Sequence, residues 1–159
     1  MSQARQCAIV KQIMSHYETP ATQLAPCDIL IVDDDSEVLL AAELVLKAYF
    51  QKIVTVSDPT QIETLLSQHA FDVILLDMNF SVGATSGREG IDWLKIARAI
   101  APDTKIILMT AYGGIDSAAD AVREGAAAYL LKPWDNAHLV ATLSLVSRLA
   151  RAGRAAPAL

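Results

Sequence analysis

A run of three aspartates (Asp33, Asp34 and Asp35), a separate Asp77, the hydroxyl of Thr110 and the ammonium of Lys132 all directly follow short apolar stretches. Carboxylates gathered at one point repel each other, which raises their pKa values and costs stability. A small hard cation removes that conflict, and Mg²⁺ is usually held by one or two carboxylates, waters and phosphate oxygens. A lysine and a hydroxyl suit the remaining oxygens of a phosphoryl group. Phosphoryl transfer asks mainly for positioning and charge neutralisation. A carboxylate can itself be the nucleophile, forming an aspartyl-phosphate.

The elements that must position these groups follow from periodicity. Four apolar, β-branched runs, Ile29–Val32, Ile53–Val56, Val73–Leu76 and Ile106–Met109, and a weaker fifth, Ala127–Leu131, have the continuous apolar character of strands covered on both faces. Helical spacing fills the intervals. Ser36 is read as the cap of a helix bearing Val38, Leu39, Ala42, Val45, Leu46 and Tyr49 on one face. Asp58-Pro59 opens a second helix, with Ile62, Leu65 and Leu66. Ile91, Trp93, Leu94, Ile96 and Ala97 form a third, ended by Pro102. Ala118, Ala119, Ala121 and Val122 form a fourth, stopped by Gly125. Leu139, Val140, Leu143, Val146 and Leu149 form a fifth after Asp135. Alternating strands and helices imply a parallel sheet with right-handed crossovers, and ligands of open sheets lie beyond the carboxyl ends of the strands. Every chemical residue above falls at such an end.

Composition narrows the classes. A chain of 159 residues with 53% hydrophobic residues supports one compact α/β domain. No apolar run reaches the roughly 18 residues of a membrane span, and the opening residues lack a secretory pattern, so a cytoplasmic protein is expected. Cys7 and Cys27 have no partner spacing for zinc or a disulfide framework. The net charge of -5 argues against direct nucleic-acid binding. Taken singly, each residue has a plainer reading: the aspartates as helix caps, Asp77 and Lys132-Pro133 as turns, Thr110 as nothing in particular. Their joint placement is what argues for a site.

With these residues placed, the chain resembles the response-regulator receiver family of two-component signalling over Asp28 to Leu149. The resemblance rests on ILIVDDD (29–35), VILLDM (73–78), IILMTAY (106–112) and GAAAYLLKPW (125–134). It implies a flavodoxin-like, doubly wound, five-stranded parallel sheet in the order 2-1-3-4-5, with helices on both faces. It implies that Asp77 accepts a phosphoryl group from a sensor histidine kinase or phosphotransfer protein. Asp34 binds Mg²⁺ directly, Asp33 directly or through water, Asp77 as well, and Asn79 through its backbone carbonyl. Asp35 is a helix-start residue. Lys132 pairs with the phosphoryl oxygens, directed by a cis Pro133. Thr110 moves toward the phosphate and Tyr129 changes rotamer, altering the face of the fourth helix, fifth strand and fifth helix for an output domain or partner. The family is a switch rather than an enzyme, with at most slow self-phosphorylation and self-dephosphorylation. The wording around MTAYG and LLKPWD is similar to receivers of enhancer-binding transcription activators.

One stretch departs from the family. No Met-Pro-Gly turn follows the phosphoacceptor, and the longer loop 78–90 is read either as a flap affecting kinase choice or phosphate lifetime, or as a tolerated insertion. The expected organisation is an N-terminal extension 1–26, a receiver 27–150 and a C-terminal tail 151–159. In the extension, Ile9, Val10, Ile13, Met14 and Tyr17 suggest an amphipathic helix that packs on the receiver or pairs with another chain, leaving a homodimer open. Thr19-Pro20 and Ala25-Pro26 then serve as linker. Competing classes are a phosphorylation-independent binding module, which has no need of Asp33, Asp34, Asp77, Thr110 and Lys132 together, and a haloacid-dehalogenase-type phosphatase. The latter wants Thr or Val where Glu37 stands and leaves Asp77 unexplained. A flavodoxin is disfavoured because aspartates repel its phosphate.

Overall fold

The structure, a computed structural model, describes residues 24–80, 88–111 and 115–155. The apolar helical pattern at 9–17, most of the long loop (81–87), Tyr112 and the tail beyond 155 lie outside the described residues. Five parallel strands, β1 Ala25–Val32, β2 Phe50–Val56, β3 Val73–Asp77, β4 Lys105–Thr110 and β5 Ala128–Leu131, are ordered β2-β1-β3-β4-β5. The helices are α1 Ser36–Leu46, α2 Ile62–Gln68, α3 Arg88–Ile100, α4 Ile115–Arg123 and α5 Asn136–Ala155, with a 3₁₀ turn Pro59–Gln61 leading into α2. None of the described helices is long and apolar enough to cross a membrane.

Alternation along the strands builds two cores. Ile29, Ile31, Val73, Leu75, Ile107 and Met109 face α1 and α5, meeting Leu39, Ala42, Leu46, Leu139, Leu143 and Val146. Leu30, Val32, Ile74, Leu76, Ile106 and Leu108 face the other way, against Ile62, Leu66, Leu94, Ala97 and Ala121. Every residue of β3 is buried for this reason. The register places Ile31 opposite Leu75, and Leu75 opposite Ile107. Because β1 lies between β2 and β3, the winding reverses beside it and opens a crevice at the carboxyl ends of β1 and β3.

Several local expectations are corrected. The cap of α1 is Asp35, whose carboxylate accepts from Glu37 and Val38 N–H, and Ser36 is the first helical residue. An aspartate reaches those amides from an extended backbone as well as a serine does. Tyr49, expected on the apolar face of α1, lies past its end and is 47% exposed. Ala25-Pro26 is the start of β1 rather than linker. Proline is tolerated there because the register with β2 is irregular between Ala25 and Asp28. Residues 151–155, expected in the tail, continue α5, and the Arg151 guanidinium donates to the Pro26 carbonyl. Gly125 does stop α4. Its φ of 95° lets Gly125 N–H bond to Val122 O and Ala126 N–H to Ala121 O, closing the helix end.

Gly90 sits where α3 presses on the end of β3: a Cβ there would lie 2.4 Å from Met78 Cα and 2.9 Å from the Asp77 carbonyl oxygen. Gly90→Ala is therefore expected to lose about 1–3 kcal/mol in urea denaturation through overpacking. Gly153→Ala, with open space around its Cβ, should gain about 0.5–1 kcal/mol from helix propensity. Equal effects at the two positions would contradict the close approach.

Candidate functional site at the carboxyl ends of the strands

Each site residue is carried by a strand end that the core holds in place. Asp33 follows β1, is wholly buried, and extends the ladder by donating its N–H to Val56 O at 3.2 Å. Its carboxylate accepts from the Asp35 N–H at 2.9 Å, so the residue that caps α1 also orients Asp33. Asp77 ends β3 and is buried. The chain beyond it is tied down by Met78 N–H to Met109 O and by Gly90 N–H to Met78 O, both at 2.9 Å. Lys132 follows β5, with its N–H on Thr110 O at 2.8 Å and a cis peptide to Pro133. From there its ammonium donates to Asp33 Oδ2 at 2.6 Å and to Asp77 Oδ1 at 3.1 Å.

The electrostatics follow from burial. Asp77 is pushed up to about 6, first by burial and then by the neighbouring Asp33 charge, against the attraction of Lys132 and the Asn79 N–H. Asp33 is also raised, by burial, although its bonds to Lys132 and Asp35 oppose the shift. Burial works against the Lys132 charge, but the bond and charge of Asp33, with those of Asp77, outweigh it and hold the ammonium above its ordinary range. One carboxylate oxygen from each of Asp33, Asp34 and Asp77 lies within 4.8 Å of the others, with Asp34 exposed at the mouth. Three carboxylates against one ammonium leave the cluster negative. This set of oxygens suits a hard divalent cation.

Of the residues expected from sequence, Asp33, Asp34, Asp77 and Lys132 thus meet at one point. Thr110 is buried at the end of β4, opposite Leu131 in register, and its carbonyl accepts from the Lys132 N–H across the sheet. Tyr129 is half-buried against the second core, and its hydroxyl is enclosed without a hydrogen-bond partner among the described residues. Asn79 stands directly beyond the site, its N–H turned to Asp77. Two contributors were not anticipated. Glu89 accepts from the Phe80 N–H at 3.3 Å and so anchors the chain after Asp77. Trp134 joins Val38, Ala41 and Pro133 in a cleft beside Lys132. An acid in the first turn of α3 and an aromatic after Lys-Pro were the available signals.

Comparison with known proteins identifies the family and agrees with the fold. The response regulator receiver domain family matches residues 29–144. The alginate biosynthesis transcriptional regulatory protein AlgB of Pseudomonas putida is 36% identical over 105 residues, which is 66% of this chain and 22% of that protein. Transcriptional regulatory protein ZraR of Escherichia coli is 31% identical over 116 residues, 73% of this chain and 25% of that one. The chain therefore spans about a quarter of the length of the curated relatives it matches. Among solved structures, the N-terminal signal receiver domain of a two-component response regulator from Bacteroides fragilis is 39% identical, with a TM-score of 0.69 over 77% of this chain and 98% of that one.

Two outcomes test the site's energetics. Asp77 has a folded-state pKa of about 6 against a usual 3.8, so the native state binds the extra proton between those values. Its contribution is favourable at the acid end and is lost as the pH rises through that window. In chelator, Asp77→Asn should gain about 1–3 kcal/mol relative to wild type between pH 4 and 7, read by urea denaturation; a flat difference would remove carboxylate burial and repulsion as the cause. Tyr129→Phe deletes a buried hydroxyl with no partner among the described residues and should be neutral or stabilising by about 1 kcal/mol. A clear loss would mean the hydroxyl is bonded in solution.

Proposed function

The chain belongs to the response regulator receiver domain family, and from that premise we propose that it is the phosphoacceptor switch of a two-component phosphorelay. The observation that carries this reading is the Lys132 ammonium held between the buried carboxylates of Asp33 and Asp77. An Asp77 oxygen attacks the phosphorus of a phosphohistidine on a sensor histidine kinase or phosphotransfer protein; the new O–P bond forms as the N–P bond breaks. Asp77 suits this role because Lys132 aims it and burial excludes water around it. Asp33, Asp34 and Asp77, with the Asn79 carbonyl, are the residues that would hold Mg²⁺, which supplies positive charge against the phosphoryl oxygens.

Lys132 then exchanges its bond to Asp77 for one to the phosphoryl group, keeping Asp33 as its second partner. Thr110 supplies a hydroxyl from the adjacent strand end, and Tyr129, whose hydroxyl has no hydrogen-bond partner among the described residues, follows it. Movement of those two residues reshapes the face of α4, β5 and α5. The output is an effector domain or protein partner, by analogy with the relatives named as transcriptional regulators, with self-association as a further form of readout. The protein acts in the cytoplasm as a switch, with no turnover of a free substrate beyond slow exchange with small donors. The loop 78–90 adjusts kinase choice or the lifetime of the phosphate.

Intact-protein mass after incubation with acetyl phosphate tests this directly. A gain of one phosphoryl group that requires Mg²⁺ and is lost in Asp77→Ala is expected. An equal gain in Asp77→Ala would move the acceptor elsewhere. No gain in wild type, from either acetyl phosphate or a phosphorylated kinase, would leave a receiver that works by contact alone.

A further inference from the structure

The chain just past Asp77 is tied through three successive amides. The Met78 N–H donates to Met109 O, the Asn79 N–H turns to Asp77, and the Phe80 N–H donates to Glu89 Oε1 at 3.3 Å. The Met78 carbonyl in turn accepts from the Gly90 N–H at 2.9 Å. Two neighbours in the first turn of α3, Glu89 and Gly90, thus bond residues 80 and 78, one on each side of Asn79. Gly90 permits the approach, because a Cβ there would lie 2.4 Å from Met78 Cα.

The Phe80 N–H and the Asn79 carbonyl belong to one peptide unit, which is planar and trans, so the two groups point in opposite directions. With the N–H held by a partly buried carboxylate on α3, the carbonyl is turned away from Glu89. We propose that Glu89 is a positioning residue for the divalent cation: its carboxylate fixes the Asn79–Phe80 peptide plane and so presents the Asn79 carbonyl to an ion held by Asp33, Asp34 and Asp77. The inference rests on the phosphoacceptor reading for its metal.

Glu89 acts through the peptide rather than as a ligand. The carboxylates that converge within 4.8 Å of one another are Asp33, Asp34 and Asp77, whereas Glu89 Oε1 is engaged by Phe80. The ring of Phe80, packed against the second core, holds the same peptide from its other end. No proline stands from Met78 to Ala101 to preset the backbone after Asp77, so a side-chain tie has that work left to it. The coupling runs both ways. An ion on the Asn79 carbonyl polarises the peptide and makes the Phe80 N–H a stronger donor, so its bond to Glu89 tightens as the ion binds.

Mg²⁺ titration of the full chain by calorimetry, without a phosphodonor, tests this, with each variant's urea midpoint in chelator as the check on folding. Glu89→Ala should bind Mg²⁺ about 10-fold more weakly. Glu89→Gln, whose amide oxygen still accepts from Phe80, should stay within ~3-fold of wild type. In wild type itself, a readout that needs no variant, the Phe80 amide proton should move downfield and exchange more slowly as Mg²⁺ saturates the site. Unchanged affinity in Glu89→Ala, as expected of an acid that serves only the helix dipole, would overturn the inference and leave the phosphoacceptor reading standing. So would equal losses in Glu89→Ala and Glu89→Gln, since charge rather than the bond would then act, or a Phe80 amide indifferent to Mg²⁺. Absence of Mg²⁺ binding in wild type would remove the metal site itself, and both readings with it.

Discussion

One ammonium between two buried carboxylates organises this protein's functional end. Asp33 and Asp77 cannot both carry charge in an apolar crevice without compensation, and Lys132 reaches both from a strand on the far side of the sheet. The bridge therefore links β1, β3 and β5 at the edge where the core stops. It also leaves the site incomplete: one cation against three carboxylates is a partial neutralisation. A group that stays poised in this way responds to any new charge placed beside it.

The rest of the fold serves that balance by fixing backbone rather than by adding charge. Asp35 spends its carboxylate on the cap of α1 and its N–H on Asp33, so a helix start and a site residue share one turn. Gly90 allows α3 to approach the Asp77–Met78 backbone closely. Glu89 in the same turn holds Phe80. These contacts are local consequences of sequence, yet each matters only because the parallel sheet brings its strand ends together.

Two local features mark the α4 and β5 side of the sheet. The C-terminal end of α4 is closed by its glycine and by the Arg98 guanidinium, which donates to Glu124 O at 2.8 Å and occupies the space a Cβ on Gly125 would need. Near the middle of the same sheet edge, the Tyr129 hydroxyl is buried without a hydrogen-bond partner among the described residues.

Much of this was legible in the residues themselves. Continuous apolar runs at Ile29–Val32, Val73–Leu76 and Ile106–Met109 announce strands buried on both faces, because alternate side chains must each find a core. The aspartates, threonine and lysine after those runs announce an edge with chemistry, and Asp58, Gly125 and Asp135 mark helix ends through their own backbone preferences. What sequence alone left undecided were matters of distance and competition. Asp35 rather than Ser36 became the cap because the chain leaves β1 in an extended form that turns its carboxylate onto the next amides. Arg151 reads as tail until α5 is seen to carry it back to Pro26. Glu89 and Trp134 gain their roles only from neighbours far along the chain. Above all, the types of Asp33, Asp77 and Lys132 are written in the sequence, but the shared ammonium is not. Its geometry depends on three strand ends, separated by 44 and 55 positions, being set side by side by the packing of two cores.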